Sequence, residues 1–128
     1  MAVTVTNSTI SAFDTVTAIT SNAATADADA LAEVFTITPT KSGRSCAIVI
    51  GSTGAAADGN ITFSVAAGDM WANVAVTGTV TKNTEKVIQL ETAKVIKKDG
   101  TIALTLTPAA TDKLKTDHSA YVKFIELR

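Results

Sequence analysis

Ile61-Thr62-Phe63-Ser64-Val65 alternates apolar and hydroxyl side chains with a period of two, which is the pattern of a strand with one face buried and the other wet. Upstream, Leu31 to Thr38 alternates in the same way through Glu33, Phe35 and Ile37 until Pro39 and Ser42-Gly43 end it. The next run, Ser45 to Ile50, is apolar on both faces, as expected of a strand that is central in a sandwich or covered from outside. Downstream, Val87 to Glu91, Ala93 to Ile96, Ile102 to Leu106 and Tyr121 to Leu127 are further β-branched or aromatic runs. Asp99-Gly100, Pro108 and a polar stretch from Thr111 to Ser119 separate them. Lys98-Asp99-Gly100-Thr101 predicts a two-residue type I′ hairpin, in which Ile96 faces Ala103, Val95 faces Leu104 and Ala93 faces Leu106.

The fold expected from these runs is all-β: a single-domain antiparallel β-sandwich, Ig-like or jelly-roll-like, over residues 31–128. Its core should hold Ile48, Ile50, Phe63, Val65, Leu90, Leu104, Leu106 and Phe124. Residues 1–30 carry little that could anchor a core and read as an extended N-terminal arm of the same domain. Within that arm Phe13, Val16 and Ile19 suit either a short strand or a helical turn. At 128 residues one core suffices, and no repeat or linker divides the chain.

Charge is sparse. Asp, Glu, Lys and Arg make up 18% of the chain, below the ~25–35% expected of a free monomer's surface, so some of this surface should meet another chain. A formal net charge of −1 offers nothing to nucleic acid or an anionic membrane. Met1 to Thr6 lacks the basic and apolar parts of a secretory signal, and no run approaches a membrane span, so synthesis in the cytosol is expected.

The chemistry-bearing residues do not assemble into a site on paper. Asp117-His118-Ser119 brings acid, base and nucleophile together, but neighbours on an extended segment diverge, so this reads as a solvated turn with His118 exposed. The loop from Gly51 to Gly59 is Gly-rich without the Lys of a phosphate-cradling loop, and reads as a long flexible hairpin loop. Asp27, Asp29 and Glu33 offer three oxygens without the Gly-centred loop of a calcium site. Cys46, the only cysteine, lies in an apolar run and is expected to be buried and inert. No catalytic residue, metal or cofactor is therefore expected. Met70-Trp71, after Ala67-Gly68-Asp69, suits either the core or a partner interface.

Val34 to Thr40 leading into Ala47 to Ile50, Ala66-Ala67-Gly68-Asp69 with Trp71, Val87 to Val95, Lys98-Asp99-Gly100, and Val122 to Leu127 together resemble the small head decoration proteins of tailed bacteriophages. The resemblance is one of pattern and order over most of the chain. It implies a β-sandwich without enzymatic activity that binds the outside of an assembled phage head and stabilises the shell. The partner it implies is the major capsid protein, with the chain itself as a further partner in a small homo-oligomer, and the location it implies is the virion surface. A tail-tube or other tail structural protein would share the composition, and a bacterial Ig-like adhesin or carbohydrate-binding module would share the sandwich. The residues expected at the partner interface are Val3, Val5, Phe13, Met70 and Trp71. Deleting residues 2–20 is expected to leave the sandwich folded and to abolish capsid binding.

Overall fold

The computed structural model describes residues 2–40, 45–54, 57–69 and 74–127. Ten strands follow in chain order: β1 Ala2–Thr4, β2 Asn7–Ile10, β3 Asn22–Ala23, β4 Glu33–Ile37, β5 Ser45–Gly51, β6 Ile61–Val65, β7 Val76–Val80, β8 Glu85–Glu91, β9 Ile102–Thr107 and β10 Tyr121–Leu127. A four-residue helix, α1 (Thr92–Val95), lies between β8 and β9. One sheet runs β1-β4-β9-β6-β7 and the other β2-β10-β5-β8, with β3 beside the start of β10. The two sheets pack face to face as a single-domain β-sandwich.

The alternation read from the sequence sets which face of each strand is buried. Ile61, Phe63 and Val65 point inward from β6, and Phe35, Ile37, Ile102, Leu104 and Leu106 meet them from β4 and β9. The opposite sheet contributes Cys46, Ile48 and Ile50 from β5 with Val122 and Phe124 from β10, in a register that sets Ile48 beside Phe124. Seven of the eight expected core residues are buried; Leu90 is only partly so, because β8 is the edge of its sheet.

The sheets are mixed rather than purely antiparallel. β1 pairs with β4, and β2 with β10, in parallel. The expected arm is thus a stitch through both layers: β1 joins one sheet, Val5 turns into the core with its N–H on the Thr36 carbonyl, and β2 joins the other. Asn22 anchors the return, accepting from the Thr6 N–H at 2.8 Å and donating to the Val122 carbonyl at 3.0 Å. Ala24 and Ala26 follow it into the core, and the fully buried Glu33 carboxylate accepts from the N–H groups of Thr25 and Ala26 and from the Thr25 hydroxyl. Parallel edge pairing and short polar anchors replace the large apolar residues whose absence made this region read as an arm.

The hairpin expected at Lys98 to Thr101 is not formed between neighbouring strands. β8 pairs with β5 in one sheet and β9 with β4 and β6 in the other, so the chain crosses between layers here, and Ala93 to Val95 lie in α1 instead of a strand. The turn survives as a local unit. Gly100 has φ +83°, but Asp99 stays outside the left-handed region and accepts from the Thr101 N–H and hydroxyl through its side chain. A type I′ turn needs positive φ at both positions, and this one uses a side-chain cap at the first.

Cys46 is fully buried beside Glu126. Burial foremost, and the nearby Glu126 carboxylate, push its thiol up to about 11. A thiol so protonated is a poor nucleophile at neutral pH. Thiol labelling of the native protein at pH 7.5 should therefore proceed only through unfolding, with a rate set by urea; fast labelling without denaturant would place Cys46 at the surface.

Candidate partner interface

Between β2 and β3 the chain leaves the sandwich and returns. The departure is set by β2, whose Ile10 pairs with Leu127, and the return by the Thr20 N–H, which donates to the buried Ser8 hydroxyl at 2.8 Å. Inside this loop Asp14 takes φ 55°, and the Thr15 hydroxyl donates to the Ala12 carbonyl at 2.9 Å. The turn thus presents Phe13 and Val16 outward, 93% and 103% exposed. Ile10, Ala12, Phe13 and Leu127 line an apolar depression of about 150 Å³ at the loop's base. A phenyl ring and a Val side chain are thus held in water by a loop anchored at both ends.

The rest of that sheet's outer face is polar at one end. The Tyr121 ring covers Gly51, where an added Cβ would come within 2.0 Å of it. The Tyr121 hydroxyl donates to Glu85, and that bond, with burial, pushes the phenol up to about 12. Lys123 lies 3.6 Å from Glu85 and 5.1 Å from the Tyr121 ring centroid. The opposite sheet has a different exterior: Thr36, Thr62, Ser64, Thr77, Thr79, Thr105 and Thr107 stand on its solvent side. Six of these line a shallow groove of about 390 Å³.

Of the expected interface residues, Phe13 is free to meet a partner. Val3 is partly buried against the core and Val5 is 6% exposed; both face inward because β1 lies along the edge of β4 and the chain after it turns into the core. Met70 and Trp71 lie outside the described residues. Val16, within the segment whose deletion is expected to abolish capsid binding, is exposed, and Val74 (86% exposed) and Val87 (64%) are exposed apolar positions outside the residues expected at the interface.

His118 is fully buried, against the expectation of a solvated turn. Its partners are neither Asp117 nor Ser119. The Ser52 hydroxyl lies 2.8 Å from Nδ1 and the Asp112 carboxylate 3.0 Å from Nε2, with all three residues at 0% exposure. An ionised Asp112 is met by a proton on Nε2, and the Ser52 hydroxyl stands between Nδ1 and the His118 carbonyl. This is the reverse of the serine-protease arrangement, where the carboxylate holds Nδ1 and the nucleophile meets Nε2. A Ser hydroxyl closed off from solvent cannot reach an incoming carbonyl, and what the relay does is tie loops together. Asp112 also accepts from the N–H groups of Asp58 and Gly59 at 3.0 and 2.9 Å. Those bonds, Asp58 foremost, with Gly59 and then His118, hold its carboxyl below the usual carboxylate range despite burial. The His118 carbonyl in turn accepts from Thr53 and Gly54.

The loop from Gly51 to Gly59 is accordingly pinned at both ends, and it connects strands of different sheets instead of closing a hairpin. Asp27 accepts from the Thr116 hydroxyl and Glu33 is turned inward, so the oxygens considered for calcium do not converge. Among the described residues no group of three or more His, Cys, Asp or Glu could hold a metal ion. Nor is any helix among them long and apolar enough to cross a membrane. Compared with known proteins, the chain matches no family model, no curated protein and no solved structure.

Proposed function

We propose that this chain is a structural virion protein that decorates the outside of an assembled phage head, binding the major capsid protein and stabilising the shell without catalytic turnover. The observation that carries this reading is the anchored loop with Phe13 and Val16 held out in water. A loop tied down at both ends loses little conformational entropy on docking, so its two apolar side chains can contribute most of their burial to affinity. Repetition does the rest. A modest contact copied over a symmetric shell adds its free energy at every site, and a protein that binds only the assembled lattice stabilises that lattice by mass action.

Point variants test this better than deletion, because removing residues 2–20 would take β1, β2 and Val5 with it and damage the sandwich. The double variant Phe13→Asp, Val16→Asp should keep wild-type stability to within ~0.5 kcal/mol per site, since both side chains are exposed. It should lose at least about tenfold in affinity for heads, measured by co-sedimentation with purified particles, because two apolar contacts would be replaced by buried charge. Undiminished binding by the variant would remove this loop from the interface. Wild-type protein that sediments with tails and not heads would instead favour a tail structural role.

A further inference from the structure

The four sheet edges differ in how they are protected. β1 and β2 have three and four residues. β8 is longer, but carries Glu85, Lys86 and Glu91. Charged edges of that kind discourage pairing with another strand. β7, the end strand of the hydroxyl-covered sheet, has none of these devices: Val76-Thr77-Gly78-Thr79-Val80 contains no charge, no Pro and no bulge in its pairing with β6. Its backbone groups on the side away from β6 have no partner among the described residues.

The sequence of this edge reads the same in both directions. An antiparallel copy of β7, placed by a two-fold axis through Gly78, sets Gly78 opposite itself, Thr77 opposite Thr79 and Val76 opposite Val80. Thr77 and Thr79 are exposed and would form Thr-Thr cross-strand pairs on the outer face. Extended further, the same axis sets the exposed Val74 opposite Lys82, so no charged side chain meets its own copy. Gly78 has no Cβ because the Phe63 ring stands 2.6 Å from where one would be, which leaves the two-fold axis free of side chains.

From this self-complementary, uncharged edge we propose that two copies of the chain associate through antiparallel β7-β7 pairing, joining their hydroxyl-covered sheets into one continuous sheet. The inference is independent of the capsid reading, because it concerns the purified protein alone. An interface built mainly from five residues of backbone pairing is small, so the dimer should be weak and dependent on concentration.

Sedimentation velocity over a concentration series tests it with three proteins: wild type, Thr77→Lys with Thr79→Lys, and Thr77→Glu with Thr79→Glu. Both positions are exposed, so each variant should fold as wild type does. Wild type should dimerise, and each charged variant should dimerise at least about tenfold more weakly because like charges face across the pair. An equimolar mixture of the Lys and Glu variants should recover the dimer. As a register check, Thr77→Cys mixed with Thr79→Cys should form a disulfide-linked heterodimer that neither forms efficiently alone, since only positions 77 and 79 are directly opposed. A wild-type protein that stays monomeric to about millimolar concentration, well above the micromolar range of stable complexes, overturns the proposal. So does a dimer that the charged variants leave unchanged, or a mixture that does not recover it.

Discussion

Replacing Asp112 with Ala is expected to destabilise the fold by about 3 to 5 kcal/mol, the scale of breaking a buried charged pair. One carboxylate serves the N–H groups of Asp58 and Gly59 and the Nε2 of the buried His118. Alanine leaves all three without this acceptor, the His118 Nε2 fully buried and the two N–H groups partly so, and each buried group left unsatisfied costs about 1 to 3 kcal/mol. Asp112→Asn should fall between, because an amide keeps one acceptor oxygen and turns the other position into a donor facing donors. Ser52→Ala should be milder still, removing one hydroxyl that meets Nδ1 and the His118 carbonyl. Urea denaturation of the series measures the order. A loss below about 1 kcal/mol for Asp112→Ala, the range of an exposed site, would mean that the relay is not formed in solution.

The pH dependence follows from the same carboxylate. Its folded pKa lies below the ordinary value, so its contribution is complete above the unfolded pKa of about 3.9 and is lost as pH falls through the folded value. Wild type should therefore lose stability more steeply than Asp112→Ala as pH falls below about 3.9, and the gap between the two should narrow in acid.

The second large effect is at Phe63. Emptying this site with Phe63→Ala should lose about 3 to 5 kcal/mol. The structure adds a coupling to it. A Cβ on Gly78 would approach the Phe63 ring to 2.6 Å, so Gly78→Ala should itself cost about 1 to 3 kcal/mol by overpacking. With the ring removed that clash disappears, and Gly78→Ala in the Phe63→Ala background should be neutral or stabilising. A double-mutant cycle by urea denaturation should return a coupling of at least about 1 kcal/mol. Simple additivity would show that the ring moves aside freely, and a loss below about 1 kcal/mol for Phe63→Ala alone would place Phe63 at the surface.

Much of the sandwich was legible in the chain because period-two burial is a local signal. Ile61, Phe63 and Val65 have no other way to share a face, and the doubly apolar β5 is indeed central, flanked by β8 and β10. Asp99-Gly100 likewise marked a true turn, because positive φ at Gly100 is a property of one residue. Legibility failed where the decision was non-local. That turn does not join paired strands, since Leu104 and Leu106 find better partners in Phe35 and Phe63 than in the preceding segment. The N-terminal region did contain an alternation, with Asn22, Ala24 and Ala26 inward, but small side chains carry too weak a hydrophobic signal to announce it.

The candidate sites divide in the same way. Phe13, named among the expected interface residues, is exposed on its loop. Val5, from an equally plain segment, is in the core, because the β1-β4 pairing places it there. His118 meets Ser52 from 66 positions away. Composition and periodicity determined that this chain would be all-β and poor in charge, since those follow from each residue and its near neighbours. Which strands cross between sheets, that the single histidine is buried and which described edge strand is left unprotected were decided only by the tertiary structure, because each depends on contacts between segments that nothing local in the chain relates.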